Sequence, residues 1–128
     1  MSGINALIVD DSSTMRKIVE RSLRGAGVPL SAVFEAGNGA EALSLLETNR
    51  VDLILCDVNM PVMDGLEFVR RLGGTENGKG VPVVMITTEG SESVVVQALS
   101  SGARGYIRKP FAPEDVKKSV VSLLAGKI

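Results

Sequence analysis

Five short apolar runs alternate with five amphipathic segments along the chain, and this alternation restricts the fold more than any other feature. The runs are too short to be helices, and the stronger ones are rich in β-branched residues without alternating polar positions. Such runs are typical of strands that are covered on both faces, as in a parallel sheet. The predicted strands are residues 6–9, 32–34, 53–56, 81–86 and 105–107.

The segments between these runs carry apolar residues three and four positions apart, which is the period of a helix with one buried face. Five strand–helix units predict right-handed crossovers and a single doubly wound α/β sheet of parallel strands. The predicted buried faces comprise Met15, Ile18, Val19, Leu23 and Ala26 before a stop at Gly27, then Ala42, Leu43 and Leu46, then Leu66, Val69 and Leu72, then Val94, Val95, Ala98 and Leu99, and finally Val116, Val120, Leu123 and Leu124.

Composition excludes several classes of function. The 128 residues suit one domain, residues 1–128, and the absence of His excludes a Ser-His-Asp triad and histidine metal ligands. The single Cys excludes an internal disulfide, and the net charge of −1 gives no basic surface for nucleic acid or an anionic membrane. No signal peptide or membrane-spanning run is recognisable, so we expect a cytoplasmic protein that binds neither nucleic acid nor membrane.

Four of the five predicted strands end in a residue that can do chemistry. Ligands of open parallel α/β sheets bind beyond the carboxyl ends of the strands, so these side chains are expected on one rim. The second strand ends only in residues 35–37, which we interpret as structural. The first strand ends at Asp10 and Asp11, the third at Asp57, the fourth at Thr87 and the fifth at Lys109.

Each of these residues also has an ordinary explanation when it is taken alone. Asp11 could cap a helix, Asp57 could form a turn, and Lys109 could be a solvated surface lysine. Three carboxylates brought together, however, repel one another by several kcal/mol at an effective dielectric constant of about 20, unless a cation neutralises them. Carboxylate oxygens suit Mg²⁺, and an aspartate can act as a nucleophile in phosphoryl transfer.

Four segments at these strand ends resemble the receiver domain of the two-component response-regulator family, and most of all its single-domain, chemotaxis-type members. The segments are residues 8–16, 57–65, 86–89 and 105–111, and the resemblance extends over residues 4–124. It implies a flavodoxin-like (βα)5 fold with strand order 2-1-3-4-5. It also implies a receiver domain that occupies the whole chain, with no output domain.

The resemblance assigns a role in phosphoryl transfer to each acidic residue of the rim. Asp57 would be the phosphoacceptor. Mg²⁺ would be bound directly by Asp11, Asp57 and the backbone carbonyl of Asn59, and through water by Asp10. Lys109 would hold a phosphoryl oxygen, and the peptide bond between Lys109 and the following proline would be cis.

Further residues would link phosphorylation to an output, again by resemblance. Thr87 would hold another phosphoryl oxygen and form a switch pair with Tyr106. Asn59 and Glu89 would tune dephosphorylation. Val96 and Tyr106 would belong to a partner surface made by the fourth helix, the fifth strand and the fifth helix.

The predicted function is therefore a phosphorylatable switch rather than a turnover enzyme, although the protein would promote its own aspartyl phosphorylation and autodephosphorylation. Because the chain has no His, the phosphodonor would be a sensor histidine kinase. Because residues 1–128 leave no room for an output domain, the output would be binding to another protein. We expect a monomer and leave dimerisation on phosphorylation open.

Four alternatives use the same residues. An intermediate carrier in a phosphorelay would need the same chemistry and stays open. A phosphohydrolase with an Asp-x-Asp motif would need an acid where Asn59 stands. A flavodoxin-like cofactor site would place a phosphate against the repelling Asp10 and Asp11. A receiver that serves only as an interaction module would have no need to retain Asp57, Thr87 and Lys109 together.

Overall fold

The computed structural model describes residues 3–88 and 92–124. Within them five strands alternate with five α-helices, and the strands form one parallel sheet in the order β2-β1-β3-β4-β5. The predicted doubly wound, flavodoxin-like fold is confirmed. The elements are β1 (Ile4–Val9), α1 (Ser13–Gly25), β2 (Leu30–Ala36), α2 (Gly39–Leu46), β3 (Leu53–Cys56), α3 (Gly65–Leu72), β4 (Val83–Thr87), α4 (Glu92–Ser100), β5 (Gly105–Arg108) and α5 (Pro113–Val120), followed by a 3₁₀ turn (Val121–Leu124).

The central strands are buried on both faces of the sheet, which explains why their sequences lack alternating polar positions. Along β1, Leu7 packs in the same core as Phe68 of α3, whereas Ile8 packs in the opposite core with Val116 of α5. Helices α2, α3 and α4 contribute to the first core, and α1 and α5 contribute to the second. The helices thus cover both faces and leave the carboxyl ends of the strands at one edge.

Four of the five strands differ from their predicted bounds. β1 begins at Ile4 instead of residue 6, and β5 ends at Arg108 instead of residue 107. β2 extends over Leu30–Ala36 instead of residues 32–34, because it is an edge strand whose half-buried positions tolerate polar side chains. β4 begins at Val83 instead of residue 81, because Pro82 has no N–H to donate to a neighbouring strand. The carbonyl of Pro82 nevertheless accepts a hydrogen bond from Ile54 of β3 at 3.0 Å.

The predicted buried faces of two helices are wider than the observed ones. Ile18 of α1 is 39% exposed and Leu99 of α4 is 49% exposed, so the prediction that they lie on buried faces is wrong. Ile18 precedes the buried Val19, and Leu99 follows the buried Ala98. Each exposed residue therefore lies at the edge of the helix face that the sheet covers. The predicted stop of α1 at Gly27 holds, since this glycine has a φ of 89° just after the helix. Among the described residues, none of the helices is both long and apolar enough to span a bilayer.

Candidate functional site

Three carboxylates meet at the carboxyl ends of β1 and β3. Asp10 and Asp11 follow β1 and Asp57 follows β3, and one oxygen from each side chain lies within 4.8 Å of the others. The two strand ends are joined by a 2.9 Å hydrogen bond from the Asp57 N–H to the carbonyl of Val9. Asp10 and Asp57 are buried, whereas Asp11 is exposed. The cluster therefore offers hard oxygen ligands with one side open to solvent, a donor set that fits Mg²⁺.

Lys109 projects into this acidic cluster from the end of β5. Its Nζ lies 3.1 Å from Asp10 Oδ2 and 3.5 Å from Asp57 Oδ2, and its side chain is only 13% exposed. Its backbone N–H donates to the carbonyl of Thr87 at 2.9 Å, and its peptide bond with Pro110 is cis, as expected. Lys109 is therefore a partly buried partner of two carboxylates, and the alternative of a solvated surface lysine is excluded.

The environment of Asp57 disfavours its ionised form. Burial raises the pKa of Asp57 most strongly, the charge of Lys109 lowers it, and the charge of Asp10 raises it again. The Val58 N–H donates to Asp57 Oδ1 at 2.8 Å, which leaves Oδ2 on the side of Lys109. Burial also raises the pKa of the adjacent Cys56 thiol well above its usual value. Cys56 thus stays a neutral thiol and is not a candidate nucleophile.

The loop between β3 and α3 is held close to the backbone of Asp57. The Gly65 N–H donates to the carbonyl of Val58 at 2.8 Å, and a Cβ at Gly65 would overlap the carbonyl oxygen of Asp57. Asp64 caps α3 by accepting a hydrogen bond from the Glu67 N–H at 2.9 Å. Asn59, whose carbonyl is a predicted metal ligand, lies exposed within this loop.

Thr87 and Tyr106 lie on neighbouring strands at the same face of the sheet. Thr87 ends β4 and is fully buried, and Tyr106 of β5 is paired in register with Met85, two residues before it. Tyr106 packs against the core that contains Met85 and its hydroxyl oxygen is buried. The second predicted tuning residue, Glu89, lies outside the described residues.

The sequence patterns assign no role to Arg16 or Glu35, yet these two residues connect β2 to the acidic cluster. Arg16 Nε donates to Glu35 Oε1 at 2.8 Å, and Arg16 Nη1 donates to the carbonyl of Asp10 at 2.6 Å. Hydrogen bonds from Lys17 and then from Arg16 lower the pKa of Glu35. The end of β2, interpreted as merely structural, thus carries a charged contact that reaches the site. No spacing could reveal it, because the residues belong to separate elements.

The predicted partner surface is accessible at its two ends. Val96 of α4 is 54% exposed. Beside Tyr106, a groove of about 320 Å³ runs between β5 and α5 and includes Arg108, Asp115 and Lys118 in its lining. The groove is therefore framed by charged side chains.

Comparisons with known proteins agree with this arrangement. The family model described as "Response regulator receiver domain" matches residues 6–121. The chain is 41% identical over 119 residues to a chemotaxis protein CheY homolog of Campylobacter jejuni, covering 92% of this chain and 90% of the relative.

Solved structures with the same fold include the chemotaxis protein CheY4 of Vibrio cholerae, with a TM-score of 0.85, 38% identity and coverage of 96% of this chain and 100% of that one. Another is the receiver domain of the sensor histidine kinase PA1611 from Pseudomonas aeruginosa, solved with a magnesium ion in its active-site cleft. It has a TM-score of 0.80, 28% identity and coverage of 97% of each chain. By sequence match and by fold, the chain belongs to the response-regulator receiver domain family of two-component signalling.

Proposed function

We propose that Asp57 accepts a phosphoryl group from a histidine kinase and that the protein acts as a phosphorylation-dependent switch in chemotaxis-type signalling. The observation that carries this proposal is the arrangement around the buried Asp57 carboxylate. Lys109 Nζ lies 3.5 Å from its Oδ2, and Asp10 and Asp11 each place a carboxylate oxygen within 4.8 Å. A nucleophilic carboxylate thus has an ammonium group and a set of cation ligands beside it.

Mg²⁺ is the cofactor that these residues fit. Asp11, Asp57 and the backbone carbonyl of Asn59 would hold it directly, and Asp10 would act through water. When bound, the ion neutralises negative charge on the carboxylates and on the transferred phosphoryl group. The magnesium ion in the related Pseudomonas receiver domain supports this choice.

In the proposed transfer, an oxygen of Asp57 forms a bond to the phosphorus atom of a phosphohistidine on the kinase. The bond between phosphorus and the imidazole nitrogen breaks, and the imidazole leaves with the electron pair and takes up a proton from water. Lys109 and the Thr87 hydroxyl donate hydrogen bonds to phosphoryl oxygens.

The output is proposed to be a protein that binds the surface of α4, β5 and α5. The phosphoryl group on Asp57 carries a charge of roughly −1.5 to −2 in place of the carboxylate's single negative charge, and its oxygens draw the Thr87 hydroxyl towards them. The Tyr106 ring then occupies the space that Thr87 leaves, and the surface that includes Val96 changes. Asn59 and Glu89 set how quickly the acyl phosphate is hydrolysed.

The proposed protein is a switch and not an enzyme that turns over a substrate. Members of this family are signalling switches rather than conventional enzymes. A phosphohydrolase would need a second acid two residues after Asp57, where Asn59 carries an amide instead. We propose that this receiver domain acts in the cytoplasm and that its output is binding to another protein.

The first experiment is incubation of the protein with Mg²⁺ and acetyl phosphate, followed by intact-mass spectrometry. Wild type should gain one phosphoryl group, and chelation of Mg²⁺ or the Asp57→Asn substitution should abolish the gain. Asp64→Asn, which removes a charge in the same loop and keeps the helix cap, is the matched control and should be phosphorylated like wild type. Unmodified wild type, or phosphorylated Asp57→Asn, would contradict the assignment.

A second experiment separates a terminal switch from a phosphorelay carrier. The phosphorylated protein is mixed with the histidine phosphotransfer domains encoded in the same genome, and the phosphoryl group is followed by mass spectrometry. A switch should lose it only to water, whereas a carrier should pass it on to a histidine.

A further inference from the structure

We propose that Arg16, held in place by Glu35, is a positioning residue that orients the peptide between Asp10 and Asp11 and thereby sets the affinity of the cluster for Mg²⁺. This inference rests on the proposed magnesium-dependent function and deepens it. It assigns a role to two residues of α1 and β2 that touch neither the predicted ion nor the phosphoryl group.

Arg16 Nη1 donates a hydrogen bond to the backbone carbonyl of Asp10. At 2.6 Å, this is a short, charge-assisted hydrogen bond. The carbonyl belongs to the planar peptide unit that joins Asp10 to Asp11, so fixing its direction fixes how the two carboxylate-bearing residues are oriented relative to each other. Asp11 lies beyond the end of β1 and is exposed, so the sheet does not fix it.

The other polar groups of Asp10 already have partners that are independent of Arg16. Its N–H donates to the carbonyl of Ala36 at 3.0 Å, its Oδ1 accepts from the Ser12 N–H at 2.9 Å, and its Oδ2 faces Lys109 Nζ at 3.1 Å. Arg16 completes this set at the carbonyl. Removing Arg16 therefore releases one defined contact, at the carbonyl, while β2 still holds the Asp10 N–H and Lys109 still pairs with its carboxylate.

Glu35 restricts Arg16 to this position. Glu35 accepts from Arg16 Nε at 2.8 Å and lies on β2 opposite Ile8 of β1, so it is built into the sheet. The Arg16 side chain is only 18% exposed, whereas Arg24 of the same helix, paired with Glu20, is 54% exposed. An exposed ion pair such as that of Arg24 and Glu20 contributes little to stability. Arg24 is therefore a matched control for Arg16.

The sign of the effect distinguishes positioning from simple electrostatics. A cation beside the cluster repels Mg²⁺, so loss of the Arg16 charge alone should tighten Mg²⁺ binding. Loss of positioning should weaken it instead, because partners that orient metal ligands typically contribute about 10–100-fold to metal affinity. The two explanations predict opposite changes in the same measured constant.

The experiment measures Mg²⁺ dissociation constants of the full chain by calorimetric titration for wild type, Arg16→Met, Arg16→Lys, Glu35→Gln and Arg24→Met. We expect Arg16→Met to weaken binding by about tenfold and Arg16→Lys to do nearly the same, because a lysine cannot bridge both acceptors. Glu35→Gln should weaken binding by about threefold, since its amide oxygen still accepts from Arg16. The Arg24→Met variant should bind like wild type.

A second readout needs no metal. Amide hydrogen exchange at Ser12, whose N–H donates to Asp10 Oδ1, should accelerate in Arg16→Met and not in Arg24→Met when both are compared at equal global stability. The double variant Arg16→Met/Glu35→Gln should bind Mg²⁺ no more weakly than Arg16→Met, because Glu35 acts through Arg16.

Unchanged or tighter Mg²⁺ binding by Arg16→Met would overturn the proposal, and so would full rescue by Arg16→Lys. If Arg16→Met does not fold, Glu35→Gln decides: wild-type affinity in this variant overturns the proposal, and weakened binding supports it. Failure of wild type to bind Mg²⁺ would refute the proposed function itself. The exchange of the Ser12 amide would then still report whether Arg16 orders this peptide.

Discussion

Replacing Asp57 with Asn tests the electrostatics of the acidic cluster, because the substitution removes one charge and almost no volume. The pKa of this carboxyl lies above its ordinary value of 3.8, with burial as the largest cause. A carboxyl whose pKa is raised by folding binds protons more readily in the folded protein than in the unfolded chain. It therefore destabilises the protein at pH values above its folded pKa, and this cost decreases as the pH falls from that pKa towards the ordinary value of 3.8.

The distances show why burial, rather than the neighbouring charges, determines that the ionised Asp57 destabilises the folded protein. At an effective dielectric constant of about 20, the attraction to Lys109 Nζ at 3.5 Å is about 4.7 kcal/mol. The repulsion from Asp10, with oxygens up to 4.8 Å apart, is about 3.5 kcal/mol or more. These contributions nearly cancel, whereas burying an ionised carboxylate costs several kcal/mol. Without Mg²⁺ at pH 7, Asp57→Asn should therefore be more stable than wild type, by on the order of 1 kcal/mol.

Mg²⁺ should reverse this order. A ligand at 100 times its dissociation constant stabilises the folded protein by about 2.7 kcal/mol. For 128 residues the unfolding entropy is about 0.27 kcal/mol per degree, so wild type should gain about 10 °C in its thermal midpoint. Asp57→Asn, which lacks one charged ligand, should gain much less.

The assay is calorimetric unfolding with and without Mg²⁺, at pH 7 and at two lower pH values. Asp64→Asn removes an exposed carboxylate from the same loop and should follow wild type at each condition. The stability difference between Asp57→Asn and wild type without Mg²⁺ should shrink as the pH falls. A less stable Asp57→Asn at pH 7 would refute the reasoning, because attraction to Lys109 would then outweigh burial. An equal Mg²⁺ shift in both proteins would exclude Asp57 as a ligand.

Two further substitutions test the loop that follows Asp57. Gly65→Ala should destabilise the protein by about 2 kcal/mol in urea unfolding, because its Cβ would overlap the carbonyl oxygen of Asp57. The control Gly73→Ala meets only the carbonyl of Arg70, at 3.9 Å, and a comparable loss there would contradict the steric explanation. Val62→Asn should stabilise the protein by roughly 1 kcal/mol, because Val62 has a φ of 67° and is 85% exposed. Val62→Ile should give no gain, and equal effects of the two substitutions would argue against relief of backbone strain.

The fold could be predicted from the sequence because burial on both faces of a parallel sheet leaves unmistakable apolar runs. The central run containing Ile54 is an example, since every residue of β3 is buried. The sequence predicts too short an edge strand β2, because burial on both faces is missing there. Its side chains are mostly half-buried, so polar residues such as Glu35 interrupt the apolar pattern without disrupting the strand. Exposure at helix margins, as for Leu99, depends on packing that periodicity does not record.

The residues of the candidate site could also be predicted, because the strand order brings positions that are far apart in the sequence next to each other. Asp10 and Lys109 are 99 residues apart, yet their side chains are 3.1 Å apart. The contacts of Arg16 could not be predicted from the sequence. They depend on how α1 is rotated over β1 and β2, and a one-residue change in that rotation would direct the guanidinium to solvent.

Lys109 and Arg16 distribute their contacts between Asp10 and Asp57 in a way that suits the proposed transfer to Asp57. Lys109 lies closer to Asp10, at 3.1 Å, than to Asp57, at 3.5 Å, and Arg16 holds the backbone of Asp10. Asp10 is thus the residue that anchors the ammonium group, while Asp57 Oδ2 is held at the limit of hydrogen-bond distance. A nucleophilic carboxylate needs a weakly bound attacking oxygen, and the groups that stabilise the transferred phosphoryl group need to be in position already. The closest contacts of Lys109 and Arg16 therefore fall on Asp10, which the proposed transfer leaves unmodified.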